Sequence, residues 1–282
     1  MRNRLIPFVA FVAVALAACA SSSGSKSSGG DGTTTKPSAT LQILVTNDDG
    51  VGAPGIDVVT QALMKMPDVK VTIVAPATNQ SGTGSKTTDP TPPGTPATTQ
   101  SGIAATSVAG FPSDAVNYAF DEMKLTPDLV VSGINQGQNV GPAVGASGTV
   151  GAAKTAAAKG VPAVAASQGL GGDPQYSVGA QYVLAWVEDH RDALIAGTDP
   201  ADVVNINIPT CASGAVRGVK QVPVSTDPAG ILDPADCTST LTDVATDVSA
   251  FLAGFVSVSQ LSATGETVTS STTFPPVPTT AK

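Results

Sequence analysis

Short apolar runs alternate along the chain with amphipathic stretches, and each run closes on polar residues. Leu41-Gln42-Ile43-Leu44-Val45 ends at Thr46-Asn47-Asp48-Asp49-Gly50. Apolar positions at Ile56, Val59, Leu63 and Met66 follow at helical spacing, and residues 69–75 form a second run that ends at Pro76. Strand, helix and strand within about 35 residues predict a βαβ unit and a parallel sheet. The pattern repeats: helices are predicted over 113–124, 148–159 and 177–195, and strands over 128–132, 161–165 and 203–208. Such alternation implies an α/β doubly wound fold. Segment 86–101, rich in Thr and Pro, reads as a surface loop with no assignable chemistry.

In doubly wound folds ligands bind at the carboxyl ends of the strands, and the chemistry-bearing residues fall there. The first strand stops at Asp48-Asp49, the second runs into Asn79-Gln80-Ser81-Gly82, and the third stops at Ser132-Gly133-Ile134-Asn135-Gln136-Gly137. Neighbouring strand residues face opposite ways, so the two Asp share a ligand only if the chain turns, which Gly50 permits. Paired carboxylates repel unless a cation lies between them, and a hard divalent ion takes oxygen ligands, with Ser81 and Asn135 as candidate neutral ones. A plain Asn-Asp-Asp-Gly surface turn accounts for the acidic pair too. Ser147-Gly148-Thr149 stands just before an Ala-rich helical stretch, where free N–H groups and the helix dipole favour an anion. An ordinary Ser/Thr cap explains those residue types equally. Together, a cation site and an anion-binding helix start describe a phosphate-handling crevice.

Composition narrows the chemistry. Of 282 residues only 13% are charged, and 22 acids against 14 bases give a net charge of −8 with no Lys/Arg-rich run. Binding of a nucleic-acid polymer through its phosphates is thereby excluded. One His and three Cys cannot assemble a zinc site of the usual ligand count, so any metal must be held by oxygen. His190, in the charged stretch Val187-Glu188-Asp189-His190-Arg191-Asp192, reads as a solvated surface residue. Serine-hydrolase chemistry is left without a base, and no Gly-x-Ser-x-Gly pattern surrounds Ser81 or Ser147.

The amino terminus reads as an address. Met1-Arg2-Asn3-Arg4 precedes an apolar stretch over 5–18 and then Cys19, too short to span a bilayer and matching a secretory signal. Leu16-Ala17-Ala18-Cys19 resembles the bacterial lipobox, whose Cys is acylated and anchors the mature protein. The expectation is an exported protein of a bacterial cell envelope, lipid-anchored through Cys19, in which Cys211 and Cys237 form a disulfide. The chain divides into a signal peptide (1–18), a Ser/Gly/Thr-rich disordered tether (19–40), a catalytic core (41–210), a smaller β-rich C-terminal extension (211–262) and a low-complexity tail (263–282).

Taken together, the motifs around Asp48-Asp49, Val74-Ala75-Pro76 with Asn79-Gln80-Ser81-Gly82, and Pro127-Asp128 through Asn135 resemble the SurE family of metal-dependent nucleotidases. Ser147-Gly148-Thr149-Val150, Asn205-Ile206-Asn207-Ile208-Pro209 and, more weakly, Gly254 to Val258 continue the likeness, which covers about 41–261. The resemblance implies a Rossmann-like, mostly parallel sheet and one divalent ion, Mg²⁺ or Mn²⁺. It further implies a 5′/3′-nucleotidase that hydrolyses nucleoside monophosphates, or other phosphomonoesters, by attack of a metal-activated water on phosphorus. By motif position Asp48, Asp49, Ser81 and Asn135 would hold the metal, with a carboxylate of the Asp pair orienting or deprotonating the water. Asn139, Ser147, Gly148 and Thr149 would hold the substrate phosphate. The chain departs from the family pattern at Ala77, Thr78 and Gln80, where acidic and Arg residues are common, at Gly52 for His and at Thr155 for Glu. Loss of Arg near a phosphate removes a bidentate partner. The stretch between Pro209 and Gly254, which carries the subunit-exchanging hairpin in the family, is shorter than usual for it, which leaves a homodimer open. The competing reading is a non-catalytic nucleotide- or phosphate-binding lipoprotein on the same scaffold.

Overall fold

The computed structural model describes residues 39–269 and 273–277; the signal-like segment and Cys19 lie outside the described residues. In chain order the elements are β1 (Leu41–Thr46), α1 (Pro54–Leu63), β2 (Val69–Pro76), β3 (Gly94–Thr98), β4 (Ala104–Val108), α2 (Pro112–Asn117), β5 (Leu129–Gln136), α3 (Ala143–Ala146), α4 (Gly148–Ala158), β6 (Ala163–Gln168), α5 (Tyr176–Ala196), β7 (Val203–Ile208), β8 (Val219–Gln221), α6 (Asp247–Leu252) and β9 (Val256–Leu261). They build one nine-stranded sheet in the order β3-β4-β2-β1-β5-β6-β7-β9-β8. All neighbours run parallel except β3 with β4 and β7 with β9. The fold is therefore the expected α/β doubly wound, mostly parallel sheet with a β-containing C-terminal extension.

The central strands are near-continuous apolar runs because both faces are covered. Ile43 and Val45 enter the core under α1 and α5, while Leu44 between them enters the core under α2 and α4, as strand alternation requires. Close approach of α1 to β5 depends on Gly55, where a Cβ would stand 1.8 Å from the Ile134 carbonyl oxygen. The chain winds outward from β1 in both directions, to β2 on one side and β5 on the other. This switch point opens the crevice beyond β1 and β5.

Several expectations need correction. The segment read as a loop over 86–101 contains β3, an edge strand paired with β4. The helix predicted over 113–124 is a short α2 continued by a π-helical turn at Tyr118–Glu122. The strand expected to end at Ser132 continues to Gln136. The strand placed at 161–165 begins instead at Ala163 and runs to Gln168. Phe274, in the segment read as a loose tail, lies 6.4 Å from Tyr182 between ring centres, and its N–H donates to Gln221 Oε1. Cys211 and Cys237 form the expected disulfide.

Candidate active site

Asp48 leaves the end of β1 and is 2% exposed. Its carboxylate meets the start of α4, where Thr149 Oγ1 donates to Oδ1 at 2.7 Å and the Gly148 and Thr149 N–H groups also reach it. The contact requires glycine at 148, because a Cβ there would lie 2.8 Å from Asp48 Cβ. Burial pushes the Asp48 carboxyl above its ordinary value, and the bonds from Thr149 oppose the shift only partly.

Asp49 turns the other way and is only partly buried. Asn79 Nδ2 donates to its Oδ1 and the Gln136 N–H to its Oδ2, each at 3.0 Å. Burial, with a smaller contribution from the neighbouring Asp48 charge, raises this carboxyl to about 6. Gly50 supplies the turn that follows, at φ 101°.

Asn79 does more than its place in the motif suggested, since its Oδ1 accepts the Ser81 N–H at 2.9 Å. One amide thus ties exposed Ser81 to Asp49. The available signal was the Asn-x-Ser spacing of an Asx turn, in which a side chain bonds the backbone two residues on. Asn135 is buried, and its Nδ2 donates to Gly137 O at 2.6 Å. This bond fixes the amide so that Oδ1 is its remaining polar end.

Asn139, a few residues beyond the end of β5, is buried. The Asn139 N–H donates to Asn207 Oδ1 at 2.6 Å, and its carbonyl accepts from Asn205 Nδ2 at 2.9 Å and Asn207 Nδ2 at 3.2 Å. Its own Nδ2 donates to Ser167 Oγ at 2.8 Å. Asn139 is therefore a buried hub between β5, β6 and β7. Ser147 acts as the cap of α4, its hydroxyl accepting the Val150 N–H at 3.1 Å. With Val150 N–H on Ser147 and the Gly148 and Thr149 N–H groups on Asp48, the anion at the start of α4 is the Asp48 carboxylate itself, and the Ser147 hydroxyl keeps its own proton to donate.

Among the described residues the ion pairs are Lys159–Asp121, His190–Asp189 and Arg191–Glu188, so no basic group neutralises Asp48 or Asp49. Nor do the described residues hold a cluster of three or more His, Cys, Asp or Glu placed for a metal. Thr155, at a departure from the family pattern, donates back to Gly151 O within its own helix, and its Oγ1 lies 2.9 Å from Ser113 Oγ. Gly52 has open space around it, and Ala77 and Thr78 are exposed.

His190 is not the solvated surface residue its charged neighbours suggested. Its side chain is 11% exposed. The ring stacks on Trp186 at 4.1 Å, and Nδ1 lies 3.0 Å from the Trp186 carbonyl. It lines a cavity with Asp199 and Asp202 that opens at the amino ends of β6 and β7, the opposite end of the sheet from the Asp pair.

Fold and site together define a doubly wound α/β protein with an acidic, oxygen-rich crevice at its switch point, facing a helix start suited to an anion. The chain belongs to the SurE family: the profile described as "Survival protein SurE" matches residues 43–229. A protein named 5′-nucleotidase SurE from Methanopyrus kandleri is 46% identical over 129 residues, 45% of this chain and 49% of that protein. Another of the same name, from Syntrophobacter fumaroxidans, is 38% identical over 182 residues, covering 64% of this chain and 71% of that one. The crystal structure of SurE from Aquifex aeolicus superposes with a TM-score of 0.61 at 29% identity, over 79% of this chain and 93% of that one.

Proposed function

We propose that this protein is a divalent-metal-dependent phosphomonoesterase acting on nucleoside monophosphates. The observation that carries the reading is Asp48, a buried carboxylate with no basic partner among the described residues, held at the amino end of α4 beside Asp49. The names of the relatives, 5′-nucleotidases, support the substrate class.

The donor set fits a hard cation. Two adjacent carboxylates, both pushed up chiefly by burial, together with hydroxyl and amide oxygens are the ligands Mg²⁺ or Mn²⁺ prefers. Asp48, Asp49, Ser81 and the side-chain oxygen of Asn135 would hold it. Such an ion supplies Lewis-acid polarisation of a phosphoryl group and a lowered water pKa. Thr149 keeps Asp48 oriented, and Asn79 couples Asp49 to Ser81. Asp49, the more exposed carboxylate, accepts the proton of the attacking water. The Ser147 hydroxyl and the helix dipole at the start of α4 receive the phosphate oxygens, together with Asn139.

A phosphatase panel of nucleoside monophosphates and simple phosphomonoesters, with Mg²⁺ and Mn²⁺ varied, tests this. Phosphate release that stops on chelation is expected, and Asp48→Asn should lower kcat by about 100-fold or more with circular dichroism unchanged. Tight nucleotide binding with the ligand recovered intact would instead select the non-catalytic receptor, which the neutral residues at 77, 78 and 80 favour.

Export and lipid anchoring through Cys19 belong to the same proposal. They are supported by the basic start, the apolar stretch and the lipobox-like Leu16-Ala17-Ala18-Cys19, and by the disulfide, a bond of oxidising compartments. Palmitate labelling of the protein in a bacterial host should vanish in Cys19→Ser; labelling that persists would place the acyl chain elsewhere or exclude it.

A further inference from the structure

We propose that Asp247, the first residue of α6, is a positioning residue for the phosphate-binding loop: by accepting the Gly141 N–H it holds the chain between Asn139 and Ser147 and sets the phosphate affinity of the crevice. The inference rests on the reading of Asn139 and Ser147 to Thr149 as the phosphate-binding residues.

Residues 140–146 read Val-Gly-Pro-Ala-Val-Gly-Ala, with no polar side chain among them. The loop has no side-chain hook of its own, so its polar restraints must come through its backbone. Upstream, Asn139 is fixed by Asn205, Asn207 and Ser167. Gln138 is fixed through Nε2, which donates to the carbonyls of Ile231 and Asp233 at 3.0 Å. Beyond Asn139 the loop is tied from outside at its two ends, by Asp247 at Gly141 and by the Gly84 N–H, which donates to Ala146 O at 2.9 Å. Asp247 is 0% exposed, and its Oδ2 accepts the Gly141 N–H at 2.8 Å. Its Oδ1 accepts the Ser225 and Val248 N–H groups, each at 2.8 Å.

Three N–H dipoles therefore converge on one buried carboxylate, an arrangement of short charge-assisted bonds. Packing reinforces it: Val140, Val248 and Phe251 form a separate apolar cluster, and Gly141, at φ 54°, sits so close that a Cβ would lie 3.0 Å from Val248 Cγ2. The C-terminal extension thus grips a loop of the core at a point between two phosphate-binding positions. A loop displaced by a fraction of an ångström misplaces Ser147 and the α4 N–H groups, and binding geometry of this kind is sensitive to such shifts.

Asp247→Asn tests the role selectively. The amide oxygen keeps the two donors Ser225 and Val248, which turns the amide nitrogen toward the Gly141 N–H, donor against donor. Steady-state kinetics on AMP and calorimetric titration with inorganic phosphate, both with Mn²⁺, should show KM and phosphate Kd raised about tenfold with kcat within about twofold, the size of one charged hydrogen bond. A variant that melts as a folded protein yet keeps KM and phosphate Kd unchanged overturns the proposal, because a purely structural role lowers stability without moving affinity. If the unaltered protein binds phosphate but hydrolyses nothing, the proposed activity fails, and the phosphate Kd alone decides the role of Asp247. Should Asp247→Asn not fold, amide exchange in the unaltered protein decides. Coupling is reciprocal, so saturating phosphate with Mn²⁺ must slow exchange at Gly141 and Ser225, and unchanged rates there reject the idea.

Discussion

Asp48 and Asp49 are consecutive in the chain yet live in unlike surroundings: one is buried against α4, the other reaches toward Asn79 and Gln136. The difference gives Asp49 a measurable titration. Its carboxyl moves from 3.8 to about 6 on folding, so the folded protein binds this proton more tightly than the unfolded chain. The metal-free protein must then lose stability from this group as pH rises from 3.8 to about 6, with the loss complete above. A cation competes with the same proton, so Mn²⁺ affinity should climb as pH rises through that window. Calorimetric Mn²⁺ titrations across the window, paired with thermal melts of the metal-free protein, read both slopes; an affinity flat with pH would remove Asp49 from the site. At this scale the sequence was informative wherever chemistry sits at a strand end. It was silent on burial caused by distant parts of the chain. His190 looked solvated among Glu188, Asp189 and Arg191, although Trp186 four residues earlier marks the same helix face. Asp247 has no local signature, because two of its three donors, Gly141 and Ser225, come from other segments.

Elements were legible in proportion to how completely the sheet buries them. β1, β5, β6 and β7 carry apolar runs because helices cover both faces. β3 escapes notice because Gly94-Thr95-Pro96-Ala97-Thr98 is an edge strand with little buried surface, where Pro is tolerated and alternation is not enforced. The same logic locates the strictest element contact at the crossing of α1 and β5. A Cβ at Gly55 would meet the Ile134 carbonyl oxygen at 1.8 Å and the carbonyl carbon at 2.9 Å, and neither is the end of a flexible side chain. Gly55→Ala must therefore lift α1 from the sheet, costing about 3 kcal/mol in urea unfolding. Ile134 precedes Asn135, so the variant should also weaken metal binding. A near-neutral Gly55→Ala would mean that the helix sits farther from β5 than described.

At the scale of the whole molecule, the C-terminal extension ties the sheet edge to the crevice, and the disulfide closes the tie. Cys211 follows β7, and Cys237 follows the segment whose Ile231 and Asp233 carbonyls hold Gln138. The bond spans 26 residues in sequence. A loop of that length loses about 3–4 kcal/mol of closure entropy in the unfolded state when cross-linked, which in a chain of this size corresponds to a melting temperature higher by about 6–16 °C. Melts with and without dithiothreitol, and of Cys211→Ser with Cys237→Ser, should show that drop by either route. The two routes guard against different errors, since reductant leaves the packing intact while the double variant removes the sulfur atoms as well. Agreement between them identifies the cross-link itself as the source of the stability, and equal melting temperatures in all forms would show that the extension is held by its packing and hydrogen bonds, those of Asp247 and Gln138 among them. A form stabilised only when oxidised also links folding to compartment, because the disulfide persists in oxidising surroundings.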